Sequence, residues 1–141
     1  MQSILHKIVI EASPNQLFRA LTTTEGLSNW WTKTEQQGDE LTFSFGPNGE
    51  HQVVMTLLSS VPDKEVRWQC TGGPWVETGE FVFSISADDR GSCLRFAHHG
   101  WEQPDDFYQH CNAKWGFFLV ISLKQYLETK IGQPHPNDPS I

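Results

Sequence analysis

The histidines best placed for chemistry lie next to each other in a predicted strand. His98 and His99 are adjacent, so they point to opposite faces of a sheet and cannot bind one metal ion together. The alternation with Leu94 and Phe96 turns His98 inward. The favoured interpretation is a hydrogen-bonded core histidine. The alternative is a polar group that orients a ligand in an otherwise apolar pocket.

The cysteines show no pattern of a reactive or metal-binding site. Cys70, Cys93 and Cys111 are odd in number and have no CxxC spacing. We expect buried, reduced thiols and therefore a cytoplasmic location, because disulfides are rare in reducing compartments. No G-x-S-x-G, H-E-x-x-H, P-loop or G-x-G-x-x-G motif is present. The sequence predicts no catalytic residue, no metal ligand and no cofactor.

Composition favours an apolar partner over a charged one. Nine Phe, six Trp and two Tyr occur in 141 residues, and rings of this size either fill a core or line a cavity. The net charge is −7, with ten scattered Lys and Arg, so no basic surface for nucleic acid or an anionic membrane is expected. The longest apolar run, residues 117–121, is far shorter than the roughly 20 residues of a membrane span.

Hydrophobic periodicity predicts an α+β domain that would position these residues. Alternation predicts a strand over residues 4–11. The sequence Ser13-Pro14-Asn15-Gln16 then fits the capping box of a short helix, and a second helix start follows at Thr24. Residues 41–98 alternate with period two between turn clusters, which predicts an antiparallel sheet of about six strands.

The last third of the chain predicts one long amphipathic helix from about Asp105 to Ile131, followed by Gly132. A sheet with one apolar face and one such helix pack economically when the sheet curls around the helix. Residues 1–131 are expected to form one domain. The proline-rich residues 132–141, including His135, are expected to form a disordered tail without a function.

Several segments resemble the START-like (SRPBCC) superfamily, and most closely its AHSA-type family, named for the activator of the ninety-kilodalton heat-shock protein ATPase. The resemblance covers about residues 4 to 130 and rests on the segments 8–22, 27–31, 78–85, 91–96 and 99–101. It implies a helix-grip fold, with a curved antiparallel sheet wrapped around a long C-terminal helix and two short helices after the first strand. It also implies an internal cavity between the long helix and the sheet.

The resemblance implies a binding function, since superfamily members hold lipids, sterols, hormones or polyketides. We therefore predict a protein that binds an apolar, lipid-like small molecule, as a monomer or weak dimer. One alternative is that the protein acts on a chaperone, as a co-chaperone or stress-response protein. Against this, 141 residues leave no room for the extra N-terminal domain of the eukaryotic co-chaperone. The other is a cyclase- or hydrolase-type enzyme that uses the same cavity, which the lack of a nucleophile–base pair disfavours.

The predicted ligand-binding residues are mostly inward-facing aromatic residues. They are Trp30, Phe45, Met55, Trp68, Trp75, Phe83, Phe96, His98, Trp115 and Phe118. Trp75 follows Gly72-Gly73-Pro74 and is expected to cover the entrance. Because Trp30 and Trp31 cannot both face the core from a short helix, one of them is expected at the rim.

Overall fold

In the computed structural model, which describes all 141 residues, seven strands form one antiparallel sheet in the order β1-β7-β6-β5-β4-β3-β2. The strands are β1 (Gln2–Ile10), β2 (Lys33–Gln37), β3 (Glu40–Phe45), β4 (His51–Val61), β5 (Glu65–Gly72), β6 (Phe81–Asp88) and β7 (Gly91–Trp101). The sequence does not predict β2 as a strand, because this short edge strand has only Thr34 buried and carries no apolar alternation. Neighbouring strands follow each other in sequence except β1, which pairs with β7.

Two short helices, α1 (Pro14–Thr22) and α2 (Thr24–Trp30), follow β1 as predicted. Ser13 begins α1 with a reciprocal capping box: its side chain accepts a hydrogen bond from the Gln16 backbone at 3.1 Å, and the Gln16 side chain accepts one from the Ser13 backbone at 2.9 Å. Thr23 separates the helices and caps α2 through the Gly26 amide at 3.0 Å. The local sequence therefore determines both helix starts.

The predicted long C-terminal helix is confirmed. It consists of α3 (Asp106–Gly116), a π-helical segment (Phe117–Leu123) and α4 (Lys124–Thr129), with right-handed helical backbone at both junctions. Asp105 caps its start by accepting a hydrogen bond from the Tyr108 amide at 2.9 Å. The helix lies across the concave face of the sheet, so the helix-grip architecture expected from the sequence is present.

The core between sheet and helix is a continuous stack of aromatic rings. Trp115, only 2% exposed, lies with its ring centroid 4.6 Å from that of Phe96 and 4.9 Å from that of Trp31. Trp68 joins the same stack through Phe83 at 4.7 Å. Burial of these rings is the main force that holds the helix against the sheet.

The C-terminal segment, residues 132–141, makes defined contacts in the structure, whereas the sequence favoured a disordered tail. The His135 amide donates a hydrogen bond to the Trp31 carbonyl at 2.7 Å, and the Gln133 amide donates one to the Ser122 hydroxyl at 2.8 Å. These bonds cross from the segment to helix α2 and to the long helix. Proline-rich composition disfavours helix and strand, but it also lowers the entropy lost when a segment is fixed by such contacts.

Candidate functional site

An apolar cleft of about 240 Å³ opens between helix α3, the loop after β5 and the C-terminal segment. We call it the α3 cleft. Aromatic side chains and one thiol make up most of its wall, and a few polar groups lie on the side of the C-terminal segment. Its lining residues are Trp31, Phe45, Pro74, Trp75, Phe107, His110, Cys111, Lys114, Trp115, Phe118, His135 and Asp138.

A larger groove of about 450 Å³ lies between α1, α2 and α4, and it is less suited to an apolar ligand. Only three of its ten lining residues are hydrophobic, and charged side chains such as Arg19, Glu25 and Lys130 border it. Ligand sites are usually apolar concavities with a few placed polar groups. The α3 cleft matches that description and the groove does not.

Both neighbouring tryptophans at the end of α2 are buried, but only Trp31 reaches the α3 cleft. The Trp30 indole points into the core and donates a hydrogen bond to the Ala20 carbonyl at 2.8 Å. Trp31 is the C-cap of α2, where the backbone leaves ideal helical geometry (φ −110°, ψ −77°). Its ring turns toward Phe45, 5.5 Å away between centroids, and toward Trp115.

The loop after β5 places Trp75 over the sheet as a wall of the cleft. Gly73 has a φ of +116°, a conformation that side chains rarely adopt, and it lets the chain turn back close to Val53. Thr78 then fixes the loop, because its amide donates to the Trp75 carbonyl at 3.0 Å and its hydroxyl donates to the same oxygen at 2.7 Å. Trp75 is 9% exposed and contacts Phe81 edge-on.

His98 lies behind Trp75 in the core and does not reach the cleft. Its ring stacks on Phe81 with the centroids 3.6 Å apart, and its Nε2 lies 2.7 Å from the Thr78 hydroxyl. That hydroxyl already donates its single hydrogen to the Trp75 carbonyl, so it accepts a hydrogen bond from His98. Nε2 therefore carries the ring proton. Burial, with a smaller contribution from His99, lowers the pKa of His98 to about 3. His98 is therefore a neutral core histidine.

Cys111 is the only thiol in the cleft wall. Burial raises its pKa to about 11, and Asp105 adds to the shift, while the neighbouring Trp75 indole acts in the opposite direction. The thiol is therefore protonated at neutral pH. A protonated, buried thiol is a poor nucleophile and contributes an apolar surface instead.

A hydrogen-bonded chain of polar groups forms the remaining side of the cleft. Lys114 Nζ lies 2.7 Å from one carboxylate oxygen of Asp138, and His135 Nδ1 lies 2.8 Å from the other. Gly46 donates its amide hydrogen to His135 Nε2 at 3.1 Å, so Nδ1 carries the proton that His135 donates to Asp138. Burial acts to raise the pKa of Asp138, but hydrogen bonds from Lys114 and His135 outweigh it and lower that pKa.

The structure divides the predicted site residues between the cleft and the core. Four of them line the cleft: Phe45, Trp75, Trp115 and Phe118. The other six are buried in the packed core: Trp30, Met55, Trp68, Phe83, Phe96 and His98. Inward orientation alone does not bring a side chain to the cleft, because the long helix covers most of the concave face.

Several residues of the cleft lining were not predicted from the sequence, and half of them have a helical spacing that could have identified them. Phe107, His110, Cys111 and Lys114 have the spacing i, i+3, i+4 and i+7, so they share one face of α3 with Trp115. His135 and Asp138 had no comparable signal, because they belong to a segment without periodicity.

No three His, Cys, Asp or Glu side chains are grouped in a way that could hold a metal ion. None of the helices combines the length and the apolar character that crossing a membrane requires.

Comparison with known proteins gives a family and a fold. The family model described as "Activator of Hsp90 ATPase homolog 1-like protein" matches residues 11–128. The solved structure of the Aha1 dimer from Colwellia psychrerythraea is 35% identical, with a TM-score of 0.82, and the match covers 92% of this chain and 98% of that chain. No match is found among curated proteins.

Two more distant structures support the fold alone. Protein SSP2350 from Staphylococcus saprophyticus is 15% identical with a TM-score of 0.75, over 93% of this chain and 95% of that chain. Protein MLL2253 from Mesorhizobium loti is 19% identical with a TM-score of 0.71, over 84% of this chain and 91% of that chain. Because the family model matches most of the chain, this protein belongs to the Activator of Hsp90 ATPase homolog 1-like family.

Proposed function

We propose that this protein binds a small apolar molecule in the α3 cleft. The observation that carries the proposal is the lining of the cleft, in which seven of twelve residues are hydrophobic and three of the polar ones, Lys114, His135 and Asp138, form one hydrogen-bonded group. Such a site buries the apolar part of a ligand and orients its polar end. The START-like resemblance and the helix-grip fold support the same proposal.

The volume of the cleft favours a small ligand. About 240 Å³ corresponds to roughly eight water molecules at about 30 Å³ each, and it lies below the roughly 300–1,000 Å³ of sites for drug-sized ligands. A bicyclic aromatic compound or a short acyl chain fits this space better than a whole sterol. Rings of Trp31, Trp75 and Trp115 would contact such a ligand directly.

Binding is favoured over catalysis because the wall offers no activated nucleophile. The Cys111 thiol is protonated, and His98 is separated from the cleft by Trp75. An enzyme of the hydrolase or cyclase type would need a positioned base with a free nitrogen at the ligand, whereas His135 Nε2 already accepts a hydrogen bond from the Gly46 amide. The alternative enzymatic function therefore has less support than the binding function.

The experiment is an NMR titration of the ¹⁵N-labelled protein with naphthalene-2-carboxamide, an uncharged bicyclic probe. We expect the largest shift changes at the indole and backbone amides of Trp31, Trp75 and Trp115. Phe107→Ser should weaken binding by about fivefold, because it removes an apolar contact at the rim. Val120→Ser is the matched control, since Val120 is 40% exposed against 41% for Phe107 and lies outside the cleft. Equal effects of the two substitutions, or no shift changes at the cleft, would contradict the proposal.

A second candidate function is contact with a heat-shock chaperone, and it is supported by the family description and by exposed apolar residues. Val120 and Ile121 are 40% and 46% exposed on the outer side of the π-helical segment. Exposed apolar side chains that are adjacent commonly mark protein contacts. Stimulation of a purified Hsp90 ATPase by the native protein, lost in V120S/I121S, would support this function. No stimulation by the native protein would count against it.

We further propose that the chain self-associates weakly and acts in the cytoplasm. The 35% identical relative from Colwellia psychrerythraea is a dimer, which supports self-association here. All three cysteines are free and buried, which supports a reducing compartment. Sedimentation velocity over a hundredfold range of concentration tests the first point, and a single unchanging monomer would contradict it.

A further inference from the structure

We infer that the ion pair between Lys114 and Asp138 makes the α3 cleft selective for uncharged ligands. This inference rests on the proposed function of the cleft as a binding site. It assigns Asp138, a residue of the C-terminal segment, a role in specificity rather than in fold stability alone.

The geometry of the pair neutralises the single lysine of the cleft. Lys114 Nζ lies 2.7 Å from Asp138 Oδ2 and also donates to the Pro139 carbonyl. The Asp138 side chain is 7% exposed and the Lys114 side chain 21%, so solvent screens this pair less than an ordinary surface pair. His135 holds the second carboxylate oxygen, which leaves Asp138 with a partner on each oxygen.

The intact Lys114–Asp138 ion pair disfavours binding of a ligand of either charge. An anionic group would face the carboxylate of Asp138, and it would reach the charge of Lys114 only by breaking the existing bonds. A cationic group would face the ammonium group of Lys114, and it would reach the carboxylate of Asp138 only by breaking the same bonds. The other ionisable groups of the lining are His135, which donates to Asp138, His110, which is exposed at the rim, and Cys111, whose thiol is protonated. An uncharged ligand leaves all of these contacts in place.

Removal of one charge of the pair tests the inference directly. Asp138→Asn keeps the shape of the side chain but leaves the Lys114 charge without a counterion. Two probes of nearly equal shape, naphthalene-2-carboxamide and naphthalene-2-carboxylate, then report the effect of charge alone in the NMR titration. The native protein should bind the amide about tenfold more tightly than the carboxylate. Asp138→Asn should raise affinity for the carboxylate by about tenfold and change affinity for the amide by less than about twofold.

Two further variants separate local from general charge effects. K114M/D138N has no charge at this position, so it should lose the gain in carboxylate affinity. Glu128→Gln removes one negative charge from the Lys124–Glu128 pair, whose atoms are 3.2 Å apart and which lies outside the cleft. This control should leave the ratio of the two affinities unchanged.

The outcomes distinguish this inference from the proposed function. The pair does not set selectivity if the amide binds but Asp138→Asn leaves the ratio of amide to carboxylate affinity unchanged. The same conclusion follows if Glu128→Gln changes this ratio as much as Asp138→Asn does. If Asp138→Asn changes both affinities by the same factor, the substitution acts on the shape of the cleft, and the inference is wrong. If neither probe binds to any variant, the proposed function fails and this inference fails with it.

Discussion

At the scale of single residues, burial decides which titratable groups of this protein can act. His98 and Cys111 are both removed from water, and burial favours the uncharged form of each. Asp138 is also mostly buried, but two donors hold it in the charged form. Burial therefore leaves His98 and Cys111 uncharged, whereas Asp138 stays a carboxylate because it has hydrogen-bond donors.

The lowered pKa of His98 predicts a loss of stability on acidification. An unfolded chain protonates its imidazole near pH 6.5, whereas the folded protein keeps it neutral down to about pH 3. Between these values the unfolded state binds the additional proton, so the free energy of unfolding falls as the pH falls, by up to roughly 1.4 kcal/mol per pH unit. His98→Phe should reduce that slope between pH 6 and pH 4.

Urea unfolding at several pH values measures this slope, and the difference between native and variant proteins isolates His98 from the carboxylates. His51→Gln is the control, because it removes a histidine that is exposed instead of buried. A His98→Phe slope equal to the native one would mean that His98 is not kept neutral by the core.

At the scale of secondary-structure elements, the long helix also protects the open edge of β1. Three side chains of the helix bond to backbone groups at this edge. Tyr108 donates to the Ser3 carbonyl at 2.9 Å and Lys124 to the Val9 carbonyl at 2.6 Å, while Glu128 accepts from the Glu11 amide at 2.9 Å. Unpaired edge groups invite pairing with other strands, and covering them limits it.

Tyr108→Phe tests this function of the helix. Loss of the hydroxyl leaves the Ser3 carbonyl without its donor, and we expect a cost of about 0.5–1.5 kcal/mol in the free energy of unfolding. Amide exchange at the N-terminal end of β1 should also become faster. Tyr126→Phe is the matched control, because the Tyr126 hydroxyl makes no side-chain hydrogen bond in the structure. Equal costs for the two substitutions would show that the edge bond does not matter.

At the scale of the whole molecule, the C-terminal segment completes the cleft that the sheet and helix begin. It supplies His135 and Asp138 to the lining and connects to the β3–β4 turn through Gly46 and to helix α2 through Trp31. These partners are far apart in sequence. The segment can therefore close one side of the cleft without any regular secondary structure of its own.

His135→Ala should loosen this closure, because it removes the bonds to Gly46 and Asp138 while the chain keeps its length. We expect Cys111 to react faster with N-ethylmaleimide, as followed by mass spectrometry of its peptide. Cys93 is buried outside the cleft and serves as the internal control. Faster reaction of both thiols would indicate general destabilisation, and an unchanged Cys111 rate would contradict closure by the segment.

The sequence by itself determined most of the elements of this protein, and only the edge strand β2 lacked a local pattern. The capping box at Ser13, the period-two alternation of the strands and the apolar stripe of the long helix are local patterns, and each specifies the conformation of nearby residues. Together with the resemblance, they were sufficient for the helix-grip fold. The aromatic content left open whether the rings fill a core or line a cavity, and in the structure most of them fill the space between sheet and helix while a few line the α3 cleft.

Only the tertiary structure decided which of those rings line a cleft. The strand period of Trp68 and the helical period of Trp115 both predict an inward side chain, but Trp68 is covered on all sides and Trp115 borders the opening. That difference depends on where the helix crosses the sheet, which no local pattern specifies. The placement of Asp138 beside Lys114 joins residues 24 positions apart through a segment without periodicity, and only the packing of the whole chain brings them together.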